Sequence, residues 1–148
     1  MRVLLALVPY TRQNLQLTYH PTAFFDELER QTDYSRRTLQ QAMATLRKRQ
    51  LVSAERVPQL TAAGQLHVQP YVAQRLANGA QLLVIFDVPE DFSAQRRQLR
   101  RTLQRLGFTQ VQRSVWMSSD DHVSFVKDII RDLRLEGWVE VYEAARLA

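Results

Sequence analysis

The sequence predicts an α+β chain of two small modules, a mainly helical one over 1–78 and a β-α-β-β-α-β one over 79–148. Three observations carry this. Apolar residues in the first half recur at helical spacing, interrupted by one short hairpin pattern. From Gln81 the pattern changes to continuous or alternating apolar runs that alternate with two amphipathic stretches. The charge also divides. Residues 1–78 hold ten Lys/Arg against five Asp/Glu, whereas residues 79–148 hold ten against ten. The whole excess of positive charge therefore sits in the first half, and Asn78-Gly79 is the expected linker.

In the first module Val3–Val8 is an apolar run halted by Pro9, too short for a leader's hydrophobic region, and is expected to be core of a first helix. A loop through Asn14 and His20-Pro21 follows. Thr22 is the expected cap of a helix over Ala23–Gln31, with Phe24, Phe25 and Leu28 inward. Thr32-Asp33-Tyr34 makes a tight turn, and Ser35 caps the next helix, whose inward face is Leu39, Ala42, Met43 and Leu46. Leu51–Glu55 reads as a strand, Arg56–Gln59 as a very short wing and Leu60-Thr61 as the return. A last helix runs to about Leu76.

In the second module Gln81–Phe86 is a buried strand ending at Asp87-Val88-Pro89-Glu90. Ser93 is the expected cap of a helix with Leu99, Leu103 and Leu106 inward, stopped by Gly107. Two short strands flank Gln112-Arg113-Ser114. A second helix spans Asp121–Arg134 with Val123, Val126, Ile130 and Leu133 inward, and Trp138–Tyr142 is the last strand. This order is the ferredoxin-like arrangement.

Composition narrows the class. Hydrophobic residues make up 45% of the chain and cysteine is absent, which excludes a disulfide framework and a thiolate metal site. That absence leans towards the cytoplasm. No stretch approaches the roughly 20 apolar residues of a membrane span, so no membrane partner is expected.

Two resemblances follow from particular residues. The turn at Thr32–Ser35, the basic helix after it, and Leu51-Val52 with Leu60-Thr61-Ala62-Ala63-Gly64 resemble winged helix-turn-helix regulators. Leu83–Glu90, Leu106-Gly107-Phe108, Val111–Trp116 and Val139–Tyr142 are similar to the small ferredoxin-like subunit of CRISPR spacer-acquisition complexes. The two modules in this order resemble the PaaX-like repressors. That resemblance implies a winged helix-turn-helix DNA-binding domain followed by a ferredoxin-like dimerisation domain. The chain ends at Ala148 and is expected to lack the family's C-terminal domain.

The chemistry concentrates in two places. On the helix after Ser35, Arg37, Gln41 and Lys48 form an outward line with Gln40 and Ala44 between them, Arg36 in the first turn and Arg47 near the end. Arg and Gln suit the edges of guanine and adenine, and Lys suits phosphate. With Arg56 on the wing, these eight residues are the candidate DNA contacts; a solvated basic face is the plain alternative. The second place is Asp87. The CRISPR resemblance implies a divalent cation there, such as Mg²⁺, shared across a dimer axis, whereas the residues alone equally suit a turn cap before Pro89. Arg96, Arg97, Arg100, Arg101 and Arg105 make one helix basic; a second nucleic-acid surface is the alternative, and pairing with Asp120, Asp121, Asp128 and Asp132 within or between protomers, or solvation, is expected. His20, His67 and His122 suggest no metal site, and Trp116 and Trp138 read as core or interface anchors.

The expectation is a sequence-specific double-stranded DNA-binding regulator, a repressor acting as a homodimer through 79–148, with no cofactor required. The alternative is a metal-dependent nuclease or duplex-clamping adaptor of the CRISPR-subunit kind, working with an integrase partner.

Overall fold

The structure is a computed structural model that describes residues 1–8, 20–55, 58–145 and 147. The chain forms two compact units, Met1–Val68 and Gln69–Ala148.

The first unit is built from α1 (Arg2–Leu5), α2 (Pro21–Gln31), α3 (Arg36–Lys48) and the first part of α4 (Ala62–Val72). Its core joins Val3, Leu4 and Leu7 to Phe24, Leu28, Leu39 and Met43, so the opening apolar run is core. α2 starts two residues before the expected Ala23. Pro21 occupies the first helical position, where its fixed φ fits and its missing N–H costs nothing. Ser35 does cap α3, its hydroxyl accepting from the Thr38 amide at 3.4 Å. α3 ends in a Schellman motif. Gln50 lies in the left-handed region (φ 57°), the Leu51 amide donates to Leu46 O at 3.0 Å and the Gln50 amide to Arg47 O at 2.9 Å.

The expected strand at Leu51–Glu55 contracts to a single antiparallel bridge, Val52 with Leu60. Pro58 has no amide to give, and the Gln59 amide donates to the Ser53 hydroxyl at 3.0 Å instead of to a backbone carbonyl. Thr61 then opens α4: its hydroxyl accepts from the Gly64 amide at 3.1 Å and donates to Gln50 O at 2.5 Å. α4 stops at Val72 rather than near Leu76. Pro70 is accommodated inside it, the Ala73 amide still donating to Gln69 O at 3.0 Å, and the residues that follow pair with another segment instead, the Gln74 carbonyl accepting from the Asp121 amide at 2.7 Å.

In the second unit Gln74–Leu76 is extended along residues 119–121, the Leu76 amide donating to Ser119 O at 2.9 Å. Asn78 and Gly79, both at positive φ, turn the chain into β1 (Gln81–Phe86). There follow α5 (Ser93–Arg105), β2 (Thr109–Gln112), β3 (Val115–Ser118), α6 (Val123–Asp132) and β4 (Val139–Ala144). The chain order β-α-β-β-α-β is the one expected, and the sheet it forms is antiparallel in the order β2-β3-β1-β4.

Ser93 is the first residue of α5 rather than its cap, because a 3₁₀ turn over Glu90–Phe92 precedes it. Gly107 (φ 85°) closes α5 as expected, and Arg134 closes α6 in the same left-handed way. One sheet face is sealed: Leu82, Val84, Phe86, Trp116 and Val139 are buried with Leu99 and Leu103 of α5 and Val126 of α6. By register, Leu83, Ile85, Val115, Met117 and Tyr142 share the other face, and Tyr142 is 47% exposed. Glu143 and Ala144 pair with Leu82 and Gln81 of their own chain.

His122, scattered to the eye in sequence, is fully buried at the start of α6, 5.6 Å from the Phe108 ring centroid. Burial pushes its imidazole below the usual histidine range, opposed by Asp120, the Leu106 carbonyl and Asp121. Neither ring nitrogen meets a partner with normal hydrogen-bond geometry. The folded unit therefore binds this proton less readily than the unfolded chain, whose histidine titrates near about 6.5. Stability is expected to hold above that pH and to fall as pH drops from about 6.5 towards the lowered folded value. Urea midpoints followed by tryptophan fluorescence should decline over that window in the wild type and stay flatter in His122→Leu. Parallel pH profiles would remove His122 as the cause.

Candidate nucleic-acid interface

α3 exists because its apolar residues fall on one stripe. Leu39 and Met43 are buried and Ala42 and Leu46 pack against the same core. With that stripe inward, helical geometry turns Arg37, Gln41, Ala44 and Lys48 outward, and all four are exposed, as are Gln40 and Arg47. Arg37 and Lys48 are eleven residues apart, roughly 16 Å along the helix axis. Among the described residues, Arg37, Arg47, Lys48 and Arg49 enter no ion pair within 4.0 Å. The outward line thus carries Arg37 and Lys48, with Arg47 on its flank and Arg49 at the C-cap, and the basic last turn also suits the helix dipole.

Arg36 is differently placed. Its guanidinium pairs with Asp26 and with Glu29 (Nε to Oε2, 3.3 Å), and its amide donates to the Glu29 carboxylate. Glu29 therefore caps α3 from α2, and Arg36 fastens the two helices together rather than standing on the outward line. Arg56, the wing candidate, lies outside the described residues.

Asp87 follows β1, its amide donating to Trp138 O at 3.0 Å, and its side chain is exposed. It lines a cleft of about 360 Å³ together with Glu90, Arg96, Arg100 and Arg113. Glu90 is engaged by Arg96 at 2.8 Å. A hard cation needs several oxygen ligands, and among the described residues no group of three or more acids or histidines is assembled. The cation expected at Asp87 is one shared across a dimer axis, which calls for the Asp87 of a second copy.

Within the chain, the α5 arginines do not pair with the acids around α6 among the described residues. Asp128 pairs with Arg131 in its own helix, and Arg96 alone on α5 has an acidic partner. In the sequence Arg113 stands only within the segment between two short strands; the fold sets that segment against the end of β1, the Phe86 amide donating to Ser114 O at 3.0 Å.

No helix among the described residues is long and apolar enough to cross a membrane. A search of the curated proteins finds no match. Compared with protein-family profiles, residues 75–148 match the PaaX protein central Cas2-like domain. The matched residues hold the complete four-stranded sheet and its two helices, and they make up half of the 148-residue chain: it belongs to the PaaX family.

Proposed function

We propose that the chain is a sequence-specific double-stranded DNA-binding transcriptional regulator, a repressor working as a homodimer, with α3 as the reading helix of a winged helix-turn-helix. The observation that carries this is the exposed line of Arg37, Gln41 and Lys48, flanked by Arg47 and with Arg49 at the C-cap, the four cations having no acidic partner among the described residues, on a helix whose other face is locked into a core. An α-helix fits the major groove, and a ridge of this length reaches from base edges to flanking phosphates. Glu29 and Arg36 support the reading by fixing the angle at which α3 leaves α2. The apolar face of Leu83, Ile85, Val115 and Met117 supports pairing of two copies about a two-fold axis, which would present two α3 ridges to a palindromic site.

Fluorescence anisotropy on duplexes selected from a random pool tests it. Affinity should fall with salt by about 0.9 log units per log unit for each phosphate neutralised. Lys48→Ala should weaken all duplexes alike and lower that slope by about one. Arg37→Ala with Gln41→Ala should relax sequence choice, each lost base contact being worth about 1–3 kcal/mol. The selected sequences should contain two half-sites about one helical turn apart. Binding that ignores both substitutions would remove α3 as the reading helix.

A further inference from the structure

The cleft beyond β1 holds a second set of chemical groups that the DNA-binding reading does not use. Its floor is the Arg100 guanidinium, half-buried and stacked 5.6 Å from the Phe86 ring centroid. Nη2 of Arg100 donates to Arg113 O at 3.1 Å, which fixes the plane of the group. Its Nε is buried and has no hydrogen-bond partner among the described residues. An atom closed to solvent cannot meet a ligand in the cleft, so Arg100 can hold one only through its terminal guanidinium nitrogens.

The charges around it do not cancel. Arg96 is spoken for, donating to Val88 O at 3.1 Å and to Glu90 at 2.8 Å. Arg100 and Arg113 have no carboxylate within ion-pair distance among the described residues, and Asp87 is the remaining acid on the wall. Two uncompensated guanidiniums, one of them preorganised by an aromatic ring and a carbonyl, suit a doubly charged oxyanion such as a phosphate monoester better than a singly charged carboxylate or a neutral group.

We propose that this cleft binds the phosphate group of a small phosphomonoester, held by Arg100 and Arg113 at the end of β1. The recess selects the ligand class. A terminal phosphate can enter a cleft of about 360 Å³, within the usual size of small-molecule sites. A duplex phosphodiester is held at the surface by the sugars on either side of it.

Titration of inorganic phosphate into the full chain, followed by ³¹P NMR, tests the site. Saturable binding is expected in the millimolar range, about −4 kcal/mol. Arg100→Gln and Arg113→Gln should each weaken it about tenfold, the loss of one charge-assisted contact. Arg101→Gln makes the same charge change on the exposed side of α5 and should alter it less than about twofold. Arg113→Gln keeps the backbone carbonyl that Arg100 uses, so it reads the site even where Arg100→Gln perturbs folding. Asp87→Asn should tighten binding, because it removes a repelling carboxylate; a cation site would respond the opposite way. Equal weakening by all three arginine variants, or no saturation by about 10 mM, would overturn the proposal. So would displacement of the phosphate by a duplex whose own binding falls in Arg100→Gln, since the cleft would then be a DNA-backbone contact.

Discussion

Gly64→Ala is expected to destabilise the first unit by about 3 kcal/mol or more, although glycine to alanine within a helix ordinarily gains about 1 kcal/mol. The clash outweighs the propensity because of what stands opposite. A Cβ at Gly64 would overlap the Leu51 carbonyl oxygen and lie 3.0 Å from its carbon and 3.4 Å from Leu60 Cδ2. That carbonyl cannot step aside. It accepts from the Thr61 amide at 3.1 Å, and the Leu51 amide is tied to Leu46 O by the Schellman turn that ends α3. Relief requires moving α4 away, which breaks the Val52–Leu60 bridge. Amide exchange should show lost protection at Ser53 and Thr61, with the helical circular dichroism signal melting at lower denaturant. Duplex binding should fall with it, since α3 is positioned by the same turn. A variant with an unchanged midpoint and intact protection at both amides would refute the close approach of α4 to Leu51.

The parts legible in the sequence are those where one signal dominates. Leu99, Leu103 and Leu106 with Gly107 behind them specify α5 and its stop. The six apolar residues of β1 likewise announce a buried strand. Starts of helices are less legible because capping competes with proline geometry. At α2 Pro21 prevails over Thr22, and at α5 the turn over Glu90–Phe92 displaces Ser93. The ridge on α3 could be read residue by residue, since helical period alone puts Arg37, Gln41 and Lys48 opposite Leu39 and Met43. The fate of Arg36 could not: its partners Asp26 and Glu29 lie on another helix, and only tertiary packing brings them together. The cleft was hidden for the same reason. Arg100 and Arg113 are separated by a helix end and a whole strand, and they meet because β3 pairs with β1 in one register.

Trp116→Ala is expected to cost about 3–5 kcal/mol, the usual loss for a large aromatic in a closed core. Trp116 is 2% exposed and pairs across the sheet with Val84 on β1 and Gln110 on β2, so its ring closes the middle of the sealed face. Trp116→Phe separates two contributions within that cost. The indole Nε1 is buried with no hydrogen-bond partner among the described residues. Removing an unmet donor returns about 1–3 kcal/mol, which offsets the volume lost in going from indole to phenyl. Phenylalanine should therefore lie within about 1 kcal/mol of the wild type while alanine does not. Trp138, packed on Phe92 with ring centroids 4.6 Å apart, remains as the fluorescent reporter in both variants. Guanidinium unfolding read from that residue gives the two midpoints. Equal losses for phenylalanine and alanine would mean that the indole N–H is satisfied and holds the sheet through a hydrogen bond. A small loss for phenylalanine and a large one for alanine would assign the stability of this face to packing. In that case the alanine variant should also loosen the β1–β3 register that sets Ser114 against Phe86 and brings Arg113 to the cleft.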